Sequence, residues 1–221
     1  MSNKLSPSNN LLLSSYASSL KSALANTQAT TCDGEQLLLD LAFKGFVSEL
    51  LLSRVREARI FFVGNGGSAA IANHMAMDFT KNGIRALSFS DAPSLTAWAN
   101  DSGFDTLYSN LLLTQSSPAD ILIAISSSGR SKNILNACEA MMRQGGKIFT
   151  FSGMDENNPL CTLGEINFYV PESRYALIEV AHHAICHAAI EVCSDQINYE
   201  RTVDLVRKDG VHTKLSQTDC G

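Results

Sequence analysis

His74, Asp78, Glu179 and His187 are the side chains whose types and spacing could do chemistry, with His182 and His183 beside them. His74 and Asp78 lie four apart, so on a helix they share a face. Glu179 and His187 lie eight apart, about 80° around a helix at a step of about 100° per residue. On the same wheel His183 falls between them at about 40°, whereas His182 points about 60° the other way. Periodicity by itself therefore groups Glu179, His183 and His187. An imidazole and carboxylate set of this kind suits two tasks. It can take up and give back a proton as a general base and general acid. It can also hold a divalent metal, since imidazole nitrogen and carboxylate oxygen are ordinary zinc ligands.

Such groups act only if something holds a substrate against them, and two loops offer a handle. The first follows the apolar run at 60–63 and reads Gly64-Asn65-Gly66-Gly67-Ser68 before a helix over 69–81. Glycines at a strand-to-helix corner permit positive φ and let an anion approach backbone N–H groups, while the helix start supplies about half a positive charge. Ser68 adds a hydroxyl. The second loop, Ser126-Ser127-Ser128-Gly129-Arg130-Ser131, follows the apolar strand at 121–125 and precedes a helix over 132–143. Helix capping needs one serine. The surplus of hydroxyls in this loop points instead to a phosphate on which both loops converge, with Arg130 either lending charge or solvated.

At 221 residues the chain suits one α/β domain with a full core. A net charge of −5 argues against nucleic acid or an anionic membrane as main partner, so any anion site must be local. With no leader-like segment and no apolar run near the length of a membrane span, a soluble, cytoplasmic protein is expected. Cys32, Cys138, Cys161, Cys186, Cys193 and Cys220 lack metal or disulfide spacing and read as reduced thiols. Apolar periodicity over 8–27 and 35–57 predicts a pair of helices with a break between them. Such a pair, lying outside the core, suits packing against another subunit. From residue 59, strands at 60–63, 86–89, 121–125, 147–151 and 166–170 alternate with helices, the last over 175–193. This pattern predicts a mostly parallel sheet covered on both faces, with ligands beyond the carboxyl ends of the strands. The expected organisation is N-terminal helices over 1–58, a core domain over 59–198 and a polar tail over 199–221.

The segments GNGGSA, Ala97-Trp98-Ala99-Asn100-Asp101, ISSSGRS and ALIEVAHHAICHAAIE, in this order, resemble the sugar isomerase (SIS) domain proteins, and among them the phosphoheptose isomerases. The resemblance spans roughly residues 40–195. It implies a five-stranded parallel sheet flanked by helices and a homotetramer with active sites at subunit contacts. The activity it implies is interconversion of sedoheptulose 7-phosphate and D-glycero-D-manno-heptose 7-phosphate. By motif, Ser68, Ser126, Ser128 and Ser131 would bind phosphate, Asn65, Asp101 and Ser127 would face the sugar, and Gly66, Gly67 and Glu179 would also bind substrate. Asp78 and His187 would be the acid–base pair. The resemblance also implies zinc, with His74, Asp78, Glu179 and His187 as its ligands, and it aligns His182 where periodicity chooses His183.

Three departures bear on this resemblance. Asp78 stands where the family has Glu, one methylene longer. In Ile178-Glu179-Val180-Ala181-His182 the family's IQExH has Glu in the Gln place and Val in the Glu place. Met154 to Asn158 replaces a glycine-rich turn. The competing class is a non-catalytic SIS protein that binds a sugar phosphate or regulates replication initiation. Retention of His74 and His187 favours the enzyme.

Overall fold

The computed structural model describes residues 12–215, with side chains as far as Val203. Helices α1 (Leu13–Ala25) and α2 (Leu39–Val55) form the predicted pair, although the expected start at 8–11 lies outside the described residues. The break between them does more than turn the chain. It makes a hairpin, β1 (Gln28–Thr30) and β2 (Gln36–Leu37), across a turn where Gly34 takes φ +79° and donates to the Thr31 carbonyl at 3.0 Å. Strands this short carry too little alternation to be visible as a pattern.

The chain then alternates through β3 (Ile60–Gly64), α3 (Gly67–Lys81), β4 (Ala86–Ser88), α4 (Ala92–Ser102) and α5 (Leu107–Gln115). It continues through β5 (Ile121–Ile125), α6 (Lys132–Arg143), β6 (Lys147–Gly153), β7 (Ile166–Val170) and α7 (Tyr175–Leu215). The predicted five-stranded parallel sheet is present, in the order β7-β6-β5-β3-β4, and the hairpin extends it antiparallel through β1 beside β7 to give seven strands. Side chains on β3 alternate between two cores, as a sheet covered on both faces requires. Ile60 and Phe62 pack with Phe46, Met75 and Phe79 of α2 and α3, whereas Phe61 and Val63 pack with Leu111, Ile134 and Met141 of α5 and α6.

β3 and β5 are neighbours in register, Gly64 opposite Ile125, so their carboxyl ends finish side by side. From β3 the chain crosses to β4 on one side, and from β5 it crosses to β6 on the other. The crevice between strands whose connections diverge is where open α/β sheets bind ligands.

The boundary expected after Asn198 is not a break, because α7 continues to Leu215; residues 216–221 of the expected tail lie outside the described residues. Tyr175–Val203 is long and apolar enough by composition to cross a membrane, contrary to the expectation that no segment approaches that length. Much of its apolar surface is nonetheless spent on the domain itself: Leu177, Ile178, Ala181, Cys186, Ala189, Ile190 and Cys193 are buried.

Candidate functional site

The two loops meet at the switch point. Asn65, Gly66, Gly67 and Ser68 face Ser126, Ser127, Ser128 and Ser131 across a cavity of about 250 Å³, closed on one side by Tyr175 and Glu179 of α7. The first loop turns sharply at Gly66, where φ is +54°, a value natural only to glycine. Gly64 carries a second steric demand, since a Cβ there would lie 2.5 Å from the Ser68 carbonyl carbon. The Tyr108 hydroxyl donates to the Gly64 carbonyl at 2.6 Å and pins the end of β3. Asn65 and Asn133 exchange two amide hydrogen bonds of 2.8 Å, fastening the first loop to the opening turn of α6. Asn133 is buried, and no sequence motif marks it apart from its place two residues beyond the serine loop.

The serines are not spent on capping. Neither Gly66 before α3 nor Ser131 before α6 makes a side-chain capping hydrogen bond, so the first N–H groups of both helices remain available. Ser126 Oγ lies 3.3 Å from Ser131 Oγ, and the buried Ser127 Oγ has no hydrogen-bond partner among the described residues. Backbone donors, hydroxyls and two helix dipoles thus converge as a phosphate site requires. Arg130 points elsewhere and pairs with Asp155, inside the segment that departs from the family's glycine-rich turn. At the start of that segment Met154 sits at φ +59°, held by its N–H to Glu172 and by the Tyr169 hydroxyl on its carbonyl. A larger cavity of about 520 Å³ lies by the hairpin, between Gln28 and Cys161, away from the histidine cluster.

Helices α3 and α7 run side by side, and each presents an i, i+4 pair to the other. Asp78 Oδ2 lies 3.3 Å from His74 Nε2 and 3.9 Å from His187 Nδ1, so the carboxylate shorter by a methylene still reaches both rings. The third ring is His183, with its centroid 4.9 Å from that of His74 and 4.5 Å from that of His187. Nitrogens of His74, His183 and His187 all lie within 4.8 Å of one another. Burial, with the neighbouring His187 and His74 next in weight, lowers the His183 pKa and favours a neutral ring.

His182 is a core residue. It is fully buried, its Nε2 donates to the Ser152 carbonyl at 2.9 Å, and its ring lies against Phe151. Burial pushes its pKa down to about 4. The ring that meets His74 and His187 is thus His183, the one that helical spacing groups with His187. Glu179, expected both at the substrate and among the metal ligands, lines the serine-rich cavity, with its carboxylate over Gly67 at the start of α3, where the helix dipole favours an anion. Asp101, expected at the sugar, is exposed near the end of α4 with its carboxylate on the Asn100 amide, and it does not line the cavity. Tyr175, which does line it, carried no signal in the sequence.

A doubly wound sheet with two helix starts and a row of serines gathered at its switch point, beside an imidazole and carboxylate cluster, is the architecture of a phosphosugar-binding domain of the isomerase type. Residues 47–153 match the SIS domain family. The phosphoheptose isomerase of Chlorobaculum tepidum is 32% identical over 165 residues, covering 70% of this chain and 78% of the relative. That of Solidesulfovibrio magneticus is 31% identical over 163 residues, covering 71% and 78%. The solved phosphoheptose isomerase GmhA of Neisseria gonorrhoeae superposes with a TM-score of 0.73 at 25% identity, over 82% of this chain and 96% of that one. The chain belongs to the SIS domain family, in its phosphoheptose isomerase group.

Proposed function

We propose that this chain is an aldose–ketose isomerase that interconverts sedoheptulose 7-phosphate and D-glycero-D-manno-heptose 7-phosphate. The observation that carries the reading is the adjacency, along α3 and α7, of a hydroxyl-lined anion cavity and a carboxylate in contact with two imidazoles. Phosphate is held by the N–H groups opening α3 and α6 together with Ser68, Ser126, Ser128 and Ser131. Asn65, kept in place by Asn133, and Glu179 face the sugar. Asp78 takes the proton from C1 of the ketose, which gives the enediol, and returns it to C2 to give the aldose. His187 carries the proton that moves between the two oxygens.

A divalent metal such as zinc suits the same cluster, because imidazoles and a carboxylate already lie together there and the buried His183 Nε2 has no hydrogen-bond partner among the described residues. His74, Asp78 and His187 are donors that would hold it, and when bound it supplies polarisation of the substrate oxygens, sharing the oxygen-side work of His187. Assembly as a homotetramer is part of the proposal. Leu12, Leu13, Leu38, Leu41 and Val55 on and around α1 and α2 are exposed, which supports burial of this end against other copies.

The test is turnover. Purified protein incubated with sedoheptulose 7-phosphate, with and without zinc, forms the aldose. The His187→Ala variant abolishes turnover while changing sugar-phosphate affinity less than about threefold. Intact binding with no turnover in the unaltered protein would refute the enzyme and favour a regulatory binding module.

A further inference from the structure

We infer that His183, and not Glu179, completes the metal-ligand set of this chain, giving a three-imidazole site from His74, His183 and His187. The inference rests on the metal reading of the cluster above, and it reassigns a residue within it. His183 Nε2 is buried, and among the described residues no donor or acceptor meets it. A buried imidazole nitrogen without a partner is costly, and a metal ion accounts for its lone pair. Its ring is flanked by the two other candidate ligands, and one nitrogen from each of the three rings lies within 4.8 Å of the others. Nitrogens around a tetrahedral zinc are about 3.3 Å apart, so rotations that close the triangle by about 1 to 1.5 Å suffice.

Spacing gives the same answer. His183 and His187 are i, i+4 on α7, the interval at which two helical imidazoles share one metal. Glu179 stands a further turn away, and its carboxylate is already placed over Gly67 at the anion cavity. A split of labour follows: the three rings hold the cation together with Asp78, and Glu179 serves the substrate end.

The test measures metal without sugar. Full-length protein is stripped with chelator and titrated with zinc against a chromogenic competitor, and in parallel with cobalt(II). The His183→Gln variant should lose about 100-fold in zinc affinity, at or beyond the limit for a residue that only orients a ligand. Glu179→Gln should stay within about threefold. To separate ligation from a folding defect, His183→Cys should bind cobalt(II) with a near-ultraviolet thiolate-to-cobalt charge-transfer band, which arises only if the side chain at 183 touches the metal. Loss of affinity in Glu179→Gln with His183→Gln unaffected overturns the assignment. Absence of the charge-transfer band in folded, cobalt-loaded His183→Cys does the same, as does failure of the unaltered protein to bind either ion. Each of these failures leaves the isomerase reading to be judged by turnover.

Discussion

Replacing Gly67 with Ala separates folding from function at the point where the cavity meets α7. Gly67 opens α3 with ordinary helical geometry, so the backbone tolerates a side chain there, and relief of glycine's conformational entropy favours the helix by up to about 1 kcal/mol. The added Cβ, however, would lie 2.6 Å from Glu179 Oε1 and nearer still to Oε2. An ordinary non-bonded contact is about 3.5 Å, so the carboxylate must retreat by about 1 Å or more. Glu179 can do so cheaply, because the atoms displaced are the far end of a flexible side chain. A misplacement of about 1 Å in a positioning group costs on the order of 100-fold in rate. The expected result is a Tm unchanged or raised by up to about 4 °C, with kcat/KM for sedoheptulose 7-phosphate reduced about 100-fold. Thermal denaturation followed by circular dichroism and a coupled aldose assay measure the two quantities. A kcat/KM within about threefold of the unaltered protein would show that Glu179 plays no part at the substrate end. A Tm lowered by 10 °C or so would mean that the corner cannot yield as its geometry implies.

Two further outcomes follow from buried polar groups. Asn133→Ala leaves the Asn65 amide without its reciprocal partner, so unfolding in urea should show a loss of about 1 to 3 kcal/mol, together with weaker binding of inorganic phosphate; unchanged phosphate affinity would free the cradle from dependence on this clamp. His182 carries a pKa near 4 when folded against an ordinary value of 6.5, so its contribution is complete above about pH 6.5 and lost as pH falls toward 4, on the order of 3 kcal/mol across that window. His182→Gln keeps a donor for the Ser152 carbonyl but cannot titrate, and the slope of Tm against pH between 4 and 6.5 should flatten; an unaltered slope would assign the acid sensitivity to other groups.

The parallel sheet and both substrate loops were legible because each rests on a strong local pattern. Runs such as Ile121-Leu122-Ile123-Ala124-Ile125 are apolar on both faces, and glycines or serines follow them directly. The hairpin at Gln28–Thr30 and Gln36–Leu37 was not legible, since its place is set by the free edge of β7 and not by its own residues. His182 and His183 differ by one step of 100°, and what settles their roles is how α7 rolls against the sheet: Ile178 and Ala181 are buried on the side that takes His182 inward. Asn133 and Tyr175 escaped notice because a single amide or phenol acquires meaning only when a distant segment folds beside it. The same holds for Glu179, whose carboxylate is committed by the backbone of Gly67 across the cavity.

Helix α7 has a further consequence as a measuring rod. Tyr175 and Glu179 stand at the anion cavity, and His183 and His187 follow along the same face at rises of about 6 and 12 Å beyond Glu179. A helix neither stretches nor shortens appreciably, so the gap between the phosphate anchor and the proton-transfer groups is a constant of the protein. In the proposed reaction a sugar with fewer carbons, gripped by the same anchor, would offer the wrong carbon to Asp78, which stands on α3 opposite His187.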